Sequence, residues 1–505
     1  MARKKIISLA MATLMTVSSL GDVSPVFYES IIANAKTEEQ NAEETEQEVV
    51  AEAEQVNADY PLCEKSQDGV ILHAFCWSFN TIKECMQDIA EAGYTTVQTS
   101  PINECLVGEG GGMQLMGNGK WYYHYQPTDW KIGNYQLGTR DDFISMCKKA
   151  EELGIGIIVD VLPNHTTPNK KAISKEFIEA VGGMEKLYHQ NANRGITNWG
   201  DRNQLTTYSM GGLPDVNTEN PDFQAYFMKY MNDLIDCGAD GFRFDTAKHV
   251  GLPDDPKDPA SKENDFWPIF TGKKAIKGEM LHRADELFLY GEVLQGGGSR
   301  EEDYGEFINV TASNYGGIIR SSLWSKKLSA KGLANWKHPL SADRLVSWVE
   351  SHDTYANQGE SAALKHAQLR IGWAVIAARE GSTPLFFSRP KGREGVQFPG
   401  VSKIGDAGND EFMHPEVREV NKFRIAMAGE SEELVNGKDT TLLAVKRGNK
   451  GVVLININPD KKAKVSIPVA FEDGEYTDRA NGVKFTVKDG TLTGTMKKQS
   501  VCVIY

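Results

Sequence analysis

Positive charge is what this sequence is shortest of: 55 Lys and Arg stand against 69 Asp and Glu, a formal net charge of −14 over 505 residues. The basic runs are short, so the clustered cations that neutralise phosphates are missing, and nucleic acid is excluded as a partner. A neutral ligand suits this balance better. Metal-ligand spacing is missing as well. Cys63, Cys76, Cys85, Cys105, Cys147, Cys237 and Cys502 form no C-x-x-C pair and no zinc pattern. Several lie in apolar runs such as FCW and SVCVIY, which predicts small buried hydrophobes in place of a disulfide framework, and their odd number leaves at least one thiol free. No G-x-G-x-x-G opens a helix, so the glycine-rich ECLVGEGGGMQLMGNGK reads as a mobile rim shaping a cleft and not as a phosphate cradle.

What is present begins with a basic start and a short apolar run, MARKKIISLAMATLMTVSSL. The run is too short to span a bilayer and has the pattern of a secretory signal. Ala33-Asn34-Ala35 has the small-x-small form of a cleavage site, so residues 1–35 are expected to be removed on export, leaving a secreted, extracellular protein. Residues 36–65 are rich in Glu, Gln and Ala and cannot bury enough apolar surface to fold alone, which makes them a solvated acidic spacer. Beyond them, a chain with 40% hydrophobic and 25% charged residues is globular and long enough for two or more domains.

From about Gly69, β-rich runs alternate with amphipathic helical ones: GVILHAFCW, TIKECMQDIAEAGY, TTVQTSP, DDFISMCKKAEELG, GIGIIVDVLP. DGFRFD, LFLYGEV, RLVSWVESH and TPLFFS continue the strands. Alternation of this kind implies a parallel sheet, and there are enough units for a (β/α)8 barrel over residues 66–400, although a doubly wound sheet begins similarly. Residues 164–220 are polar, aromatic and too long for an ordinary βα loop, so they are expected to form a small inserted domain after the third strand. From about residue 404 the helices fade into TLLAVKRG, GVVLININ, AKVSIPV, VKFTV and SVCVIY, which predicts a C-terminal antiparallel β-sandwich over residues 404–505.

The strand ends carry unusual charge. Strand side chains alternate faces, so in GFRFD Arg243 and Asp245 share the face opposite Phe242 and Phe244, and are expected to point into the barrel near its C-terminal rim. An ion pair there could simply satisfy itself. The third strand, however, finishes as DVLPNH with Asp160, Asn164 and His165, the fifth ends at Glu292, and the seventh at His352 and Asp353. Acidic groups from four strand ends are costly to bury together unless a substrate or metal belongs there.

DVLPNH, LPDVN, GFRFDTAKH, GEV and SHD, in that order, resemble the signature regions of glycoside hydrolase family 13, the α-amylase family. The resemblance runs from about residue 66 to the C-terminus. TASNYG, WVESHDTYAN and GSTPLFFSRP are similar to runs of the saccharifying bacterial α-amylases. It implies a (β/α)8 barrel acting as a retaining endo-α-1,4-glucanase on starch and maltooligosaccharides, through a covalent glycosyl-aspartate intermediate. By that pattern Asp245 is the nucleophile, Glu292 the general acid and later base, and Asp353 the third acid, which holds sugar hydroxyls. Retention needs the first two carboxyls roughly 5 to 5.5 Å apart, and the acid needs a raised pKa, which neighbouring Asp245 and Asp353 would supply. Arg243 keeps Asp245 ionised.

The resemblance further implies that His165 and His352 donate to sugar hydroxyls. By the same resemblance Tyr125 is expected under the ring with Gln126 beside it, Lys248 and His249 are expected to reach the sugar beyond the cleaved bond, and Asn357 is expected to bind sugar as well. It implies a structural calcium held by Asn164, Asp215 and the His249 backbone carbonyl, with Thr206 as a further candidate; hard oxygen ligands suit that ion. Pro163, before Asn164, departs from the pattern without removing a catalytic group. The expected protein is a monomer free of the membrane once the signal is removed. A transglycosylase or α-1,6-acting relative shares this chemistry, and a non-catalytic glycan-binding paralogue would not need to retain all three acids.

Overall fold

The computed structural model describes residues 66–505. The expected signal segment, the acidic spacer and Cys63 lie outside the described residues.

Eight strands close into a parallel barrel: β1 (Ile71–Ala74), β2 (Thr96–Thr99), β3 (Gly156–Val161), β4 (Gly241–Phe244), β5 (Phe288–Gly291), β6 (Asn309–Thr311), β7 (Leu345–Trp348) and β8 (Thr383–Phe387). Each pairs with its sequence neighbour, and β8 returns to β1 through Leu385 opposite Ile71. The sequence pattern supplies seven of these strands. It does not supply β6, whose three residues NVT are too few to show a period.

Ile71, Ile158, Tyr290, Val346, Trp348 and Leu385 fill the barrel interior. Phe242 and Phe244 face outward, where Phe244 meets the Trp267 ring edge-on at 5.3 Å. Gly241 has no alternative in β4, because a Cβ there would lie 2.3 Å from the Phe288 carbonyl oxygen of the next strand. Helix 140–152 starts at a capping box, Thr139 with Asp142, and helix 221–236 at Asn220 followed by Pro221 at the first turn, two local signals that satisfy or remove first-turn amides and fix where each helix begins.

Between β3 and β4 lies the long excursion, with short helices at 175–180, 184–187 and 202–207. Its base is tied to the barrel by backbone pairing, including the Val216 amide to the Asn164 carbonyl, 2.8 Å. A second excursion, after β2, pairs Asn103–Cys105 with Pro127–Ile132.

At the C-terminal end, Glu432–Asn436, Leu442–Arg447, Gly451–Asn456 and Ser500–Ile504 form one antiparallel sheet. Ala463–Pro468, Thr491–Met496, Lys484–Lys488 and Gly474–Thr477 form the other. Val452, Leu454, Ile467, Phe485 and Leu492 are among the residues that fill the core between them. The sandwich starts later than residue 404, because a helix intervenes at Pro415–Ala426. That helix belongs to the barrel: Asn421 accepts from Trp373 Nε1 at 2.8 Å and donates to the Ala92 carbonyl at 2.9 Å, while Arg424 donates to the Gly69 carbonyl at 2.9 Å.

Cys76, Cys85, Cys105, Cys147, Cys237 and Cys502 are free thiols, all buried but the half-buried Cys85. Among the described residues no helix is long and apolar enough to cross a membrane.

Candidate active site

The C-terminal ends of β3, β4, β5 and β7 converge beneath a cleft of 550 Å³. Asp245, Glu292, Asp353, Tyr125, Gln126, His165, Lys248, His249, His352 and Asn357 all line it. Parallel register explains the centre: Asp160 on β3 lies opposite Arg243 on β4, which lies opposite Tyr290 on β5.

Arg243 is buried under the cleft. Its Nη1 donates to both oxygens of Asp160 at 2.8 Å and to Asp245 Oδ1 at 2.7 Å, and its Nη2 lies 3.1 Å from Glu292 Oε2. Burial works against the charged guanidinium, yet Asp160, Glu292 and Asp245 hold its pKa well above the ordinary value. Glu292 also accepts from the Thr246 amide at 3.0 Å, a donor aimed by a left-handed Thr246 with φ 47 and ψ 34. Gly291 lets β5 approach that turn, since a Cβ would lie 2.6 Å from the Ala247 Cβ.

Burial, more than the neighbouring acids, pushes the Glu292 carboxyl up to about 7; Arg243 opposes the rise, and Asp353 and Asp245 add to it. Burial likewise raises the Asp353 carboxyl. Asn357 Nδ2 donates to Asp353 Oδ1 at 2.6 Å, so Asn357 orients that acid.

The aromatic floor differs in detail from expectation. Tyr125 stacks on the His352 ring, with centroids 5.1 Å apart and planes 16° apart, and donates its hydroxyl to Asp160 at 3.0 Å, so one ring face is already covered. Burial, with help from Arg243, pushes the His352 imidazole down to about 4 and keeps it neutral. Burial also lowers His165, whose Nε2 is 3.0 Å from the Tyr125 carbonyl. Its Nε2 is committed to that carbonyl, and its buried Nδ1 has no hydrogen-bond partner.

Lys248 Nζ donates to the Leu294 carbonyl at 3.2 Å, and His249 Nδ1 is 2.8 Å from the Leu205 carbonyl. Trp121, Tyr122, Trp199, Met210 and Leu294 also line the cleft and were not singled out from sequence. Trp199 is 50% exposed with Lys248 Nζ 5.7 Å above its ring. A tryptophan in a polar insertion, TNWGDRN, is the one signal that could have marked it.

Of the expected calcium ligands, His249 lines the cleft, while Asn164 and Asp215 lie at the base of the insertion, where the Val216 amide bonds to the Asn164 carbonyl. Asn164 and Asp215 are buried, and Asn164 Nδ2 and Asp215 Oδ1 have no hydrogen-bond partner. Burial pushes the Asp215 carboxyl up to about 7, against the pull of His189, whose Nδ1 is 2.5 Å from Asp215 Oδ2 and whose Nε2 is 2.8 Å from Glu219 Oε2. A buried carboxylate oxygen without a partner fits a hard cation. Thr206 fits less well, because its hydroxyl turns back to the Arg202 carbonyl at 2.8 Å.

Residues 79–315 match the family model described as alpha amylase, catalytic domain. The chain carries an alpha-amylase catalytic domain. Over 462 residues it is 46% identical to an alpha-amylase of Butyrivibrio fibrisolvens, covering 86% of this chain and 47% of that protein. Over 449 residues it is 36% identical to an alpha-amylase of Clostridium acetobutylicum, covering 88% and 55%. The chain thus spans about half the length of these curated relatives. The fold matches the crystal structure of alpha-amylase I from Eisenia fetida with a TM-score of 0.72 at 19% identity, over 88% of this chain and 98% of that one. The alpha-amylase family model covers β2 to β6, and the matched span therefore includes Asp245 and Glu292, while Asp353 lies beyond it.

Proposed function

We propose that this chain is a secreted, monomeric, retaining endo-α-1,4-glucan hydrolase acting on starch and maltooligosaccharides. The observation that carries the reading is the convergence of Asp245, Glu292 and Asp353 on one cleft, with Arg243 bonded beneath them.

Asp245 attacks the anomeric carbon as Glu292 gives its proton to the departing oxygen, so the glycosidic bond breaks while a sugar–aspartate ester forms. Water, deprotonated by the same Glu292, then releases the sugar with its configuration retained. A Glu292 carboxyl held near 7 is protonated often enough to serve as acid and can still act as base. Asp353, oriented by Asn357, holds hydroxyls of the sugar under attack, and Gln126, His165 and His352 border the same ring. Lys248 and His249 contact the sugar on the far side of the bond. A calcium ion, when bound by Asn164, Asp215 and the His249 carbonyl, supplies a structural tie between insertion and barrel. Export rests on the N-terminal pattern alone.

The test is incubation of the protein with soluble starch and calcium, followed by proton NMR of product size and anomeric configuration. Short α-anomeric maltooligosaccharides, absent with Glu292→Gln, are expected. Larger or cyclic products favour transfer to a sugar acceptor, and unchanged starch with binding retained favours a glycan-binding paralogue.

A further inference from the structure

An arginine stands behind the wall of the cleft on the side of Lys248 and His249. Arg202 opens the helix Arg202–Thr207 of the insertion and does not itself line the cleft, yet its guanidinium joins two loops that do. Nη1 donates to the Lys248 carbonyl at 3.1 Å, in the loop after β4, and to the Gly298 carbonyl at 2.9 Å, in the loop after β5. Nε donates to Asp255 Oδ1 at 2.9 Å. Nη2 donates to Asp255 Oδ2 and to the Tyr304 hydroxyl, the latter at 2.8 Å, and that hydroxyl donates to the Val250 carbonyl at 2.7 Å. The Arg202 and Asp255 side chains are 13% and 1% exposed, so these bonds are made largely out of water.

The Lys248 peptide is therefore gripped on both sides. Its carbonyl accepts from Arg202, while its amide donates to the Glu292 carbonyl at 3.3 Å. Trp199, just before Arg202 in the chain, completes this side of the cleft: its ring meets His249 edge-on at 6.0 Å, with Lys248 Nζ 5.7 Å away. There is no slack behind it, because a Cβ on Gly297 would lie 2.7 Å from the Trp199 carbonyl oxygen and one on Gly298 would lie 2.7 Å from Leu205 Cδ1. A planar fork of donors fixes several carbonyls in one geometry, which the point charge of a flexible ammonium does not. A pair that served stability alone would need only Asp255, whereas the two Nη1 bonds go to the loops that carry the cleft.

We infer that Arg202 is a positioning residue for the leaving-group side of the cleft: through the Lys248 and Gly298 carbonyls it sets where the departing saccharide is held relative to Glu292. This rests on the proposed hydrolysis of α-glucans and names what governs its preference for a saccharide as the leaving group. Arg202 touches no sugar. Its effect is confined to substrates that need this side of the cleft, and displacement of the Lys248 peptide by a fraction of an ångström is enough to misplace the departing oxygen from the Glu292 proton.

The test compares kcat/KM of the full chain for maltopentaose with that for a maltotrioside bearing an aryl leaving group, which departs with little help from an acid or from this side of the cleft. The ratio of the two does not depend on how much of a preparation is folded. Arg202→Lys is expected to lower it by about tenfold, with the aryl substrate losing less than about twofold and the alkaline limb of its pH profile unmoved. An unchanged ratio, or equal losses on both substrates, overturns the inference. So does a lowered ratio that saturating calcium restores, since the effect would then belong to the metal. Should Arg202→Lys melt early, Tyr304→Phe decides: it keeps the ring, drops the bond from Arg202, and is expected to lower the ratio about twofold to threefold, and an unchanged ratio there overturns the inference equally. A native protein that cleaves neither substrate overturns the functional reading, and this inference with it.

Discussion

Arg243 Nη1 donates to both carboxylate oxygens of Asp160 at 2.8 Å, one strand away, so the guanidinium is fixed from below before it reaches Asp245 and Glu292. The anchor is a buried ion pair on an inward face, and removing one member strands the other. Asp160→Asn is expected to lower unfolding stability by about 3 kcal/mol, and Arg243→Ala, which leaves three carboxylates facing each other, by about 5 kcal/mol. Denaturant midpoints measure both; a loss below about 1 kcal/mol in each would mean that water replaces the pair without cost.

Glu292 gives a pH signature that needs no turnover. Its carboxyl is held up to about 7 in the folded chain, while an unfolded Glu titrates near about 4.3. Between those values the native state holds a proton that the unfolded state has lost, so this group's contribution is complete below pH 4 and disappears as pH rises through 7. Melting temperature against pH should therefore fall more across that window for the native sequence than for Glu292→Gln. The alkaline limb of kcat/KM should lie near pH 7.

Tyr125 contributes a ring and a hydroxyl separately. Tyr125→Phe keeps the stack on His352 and drops the bond to Asp160, for an expected loss of about 1 kcal/mol. Tyr125→Ala empties the floor as well and should lose about 3 to 5 kcal/mol and raise KM for maltopentaose. Equal losses in the two variants would locate the effect in the hydroxyl alone.

Removing calcium tests the ligands beside the cleft. A chelator is expected to lower the melting temperature, and Asp215→Ala to abolish the difference between calcium-loaded and chelated protein. An unchanged melting temperature on chelation would remove calcium from the description of this chain.

Legibility from sequence followed the strength of the local pattern. GIIVDV and GFRF are continuous or alternating enough to be read as strands, and their alternation alone turned Arg243 and Asp245 inward. β6 is three residues long and carries no such pattern. The helix at Pro415–Ala426 was hidden because Arg418, Arg424, Glu416 and Glu419 dilute its apolar stripe; Glu416 and Arg424 are nevertheless buried and held by partners on other elements, and Glu419 is buried beside its own helix's Arg418. Individual carboxylates at the strand ends were visible, and the bond from Asn357 to Asp353 is an i,i+4 pair that spacing could have marked, but the stacking of Tyr125 on His352 joins distant segments and depends on ring orientation, which no spacing encodes. Burial as the main force on Glu292 was equally invisible, since it depends on the closed barrel around it.

The helix at Pro415–Ala426 has a consequence for how the molecule is made. Arg424 and Asn421 bond to carbonyls at Gly69 and Ala92, hundreds of residues earlier in the chain. As the protein emerges from the ribosome, its first strands lack these anchors until nearly all of the barrel has been synthesised, so closure is a late event. A nascent chain stalled just short of this helix would expose the lower rim of β1 and β2 to chaperones and proteases, although every residue of the cleft would already have been translated.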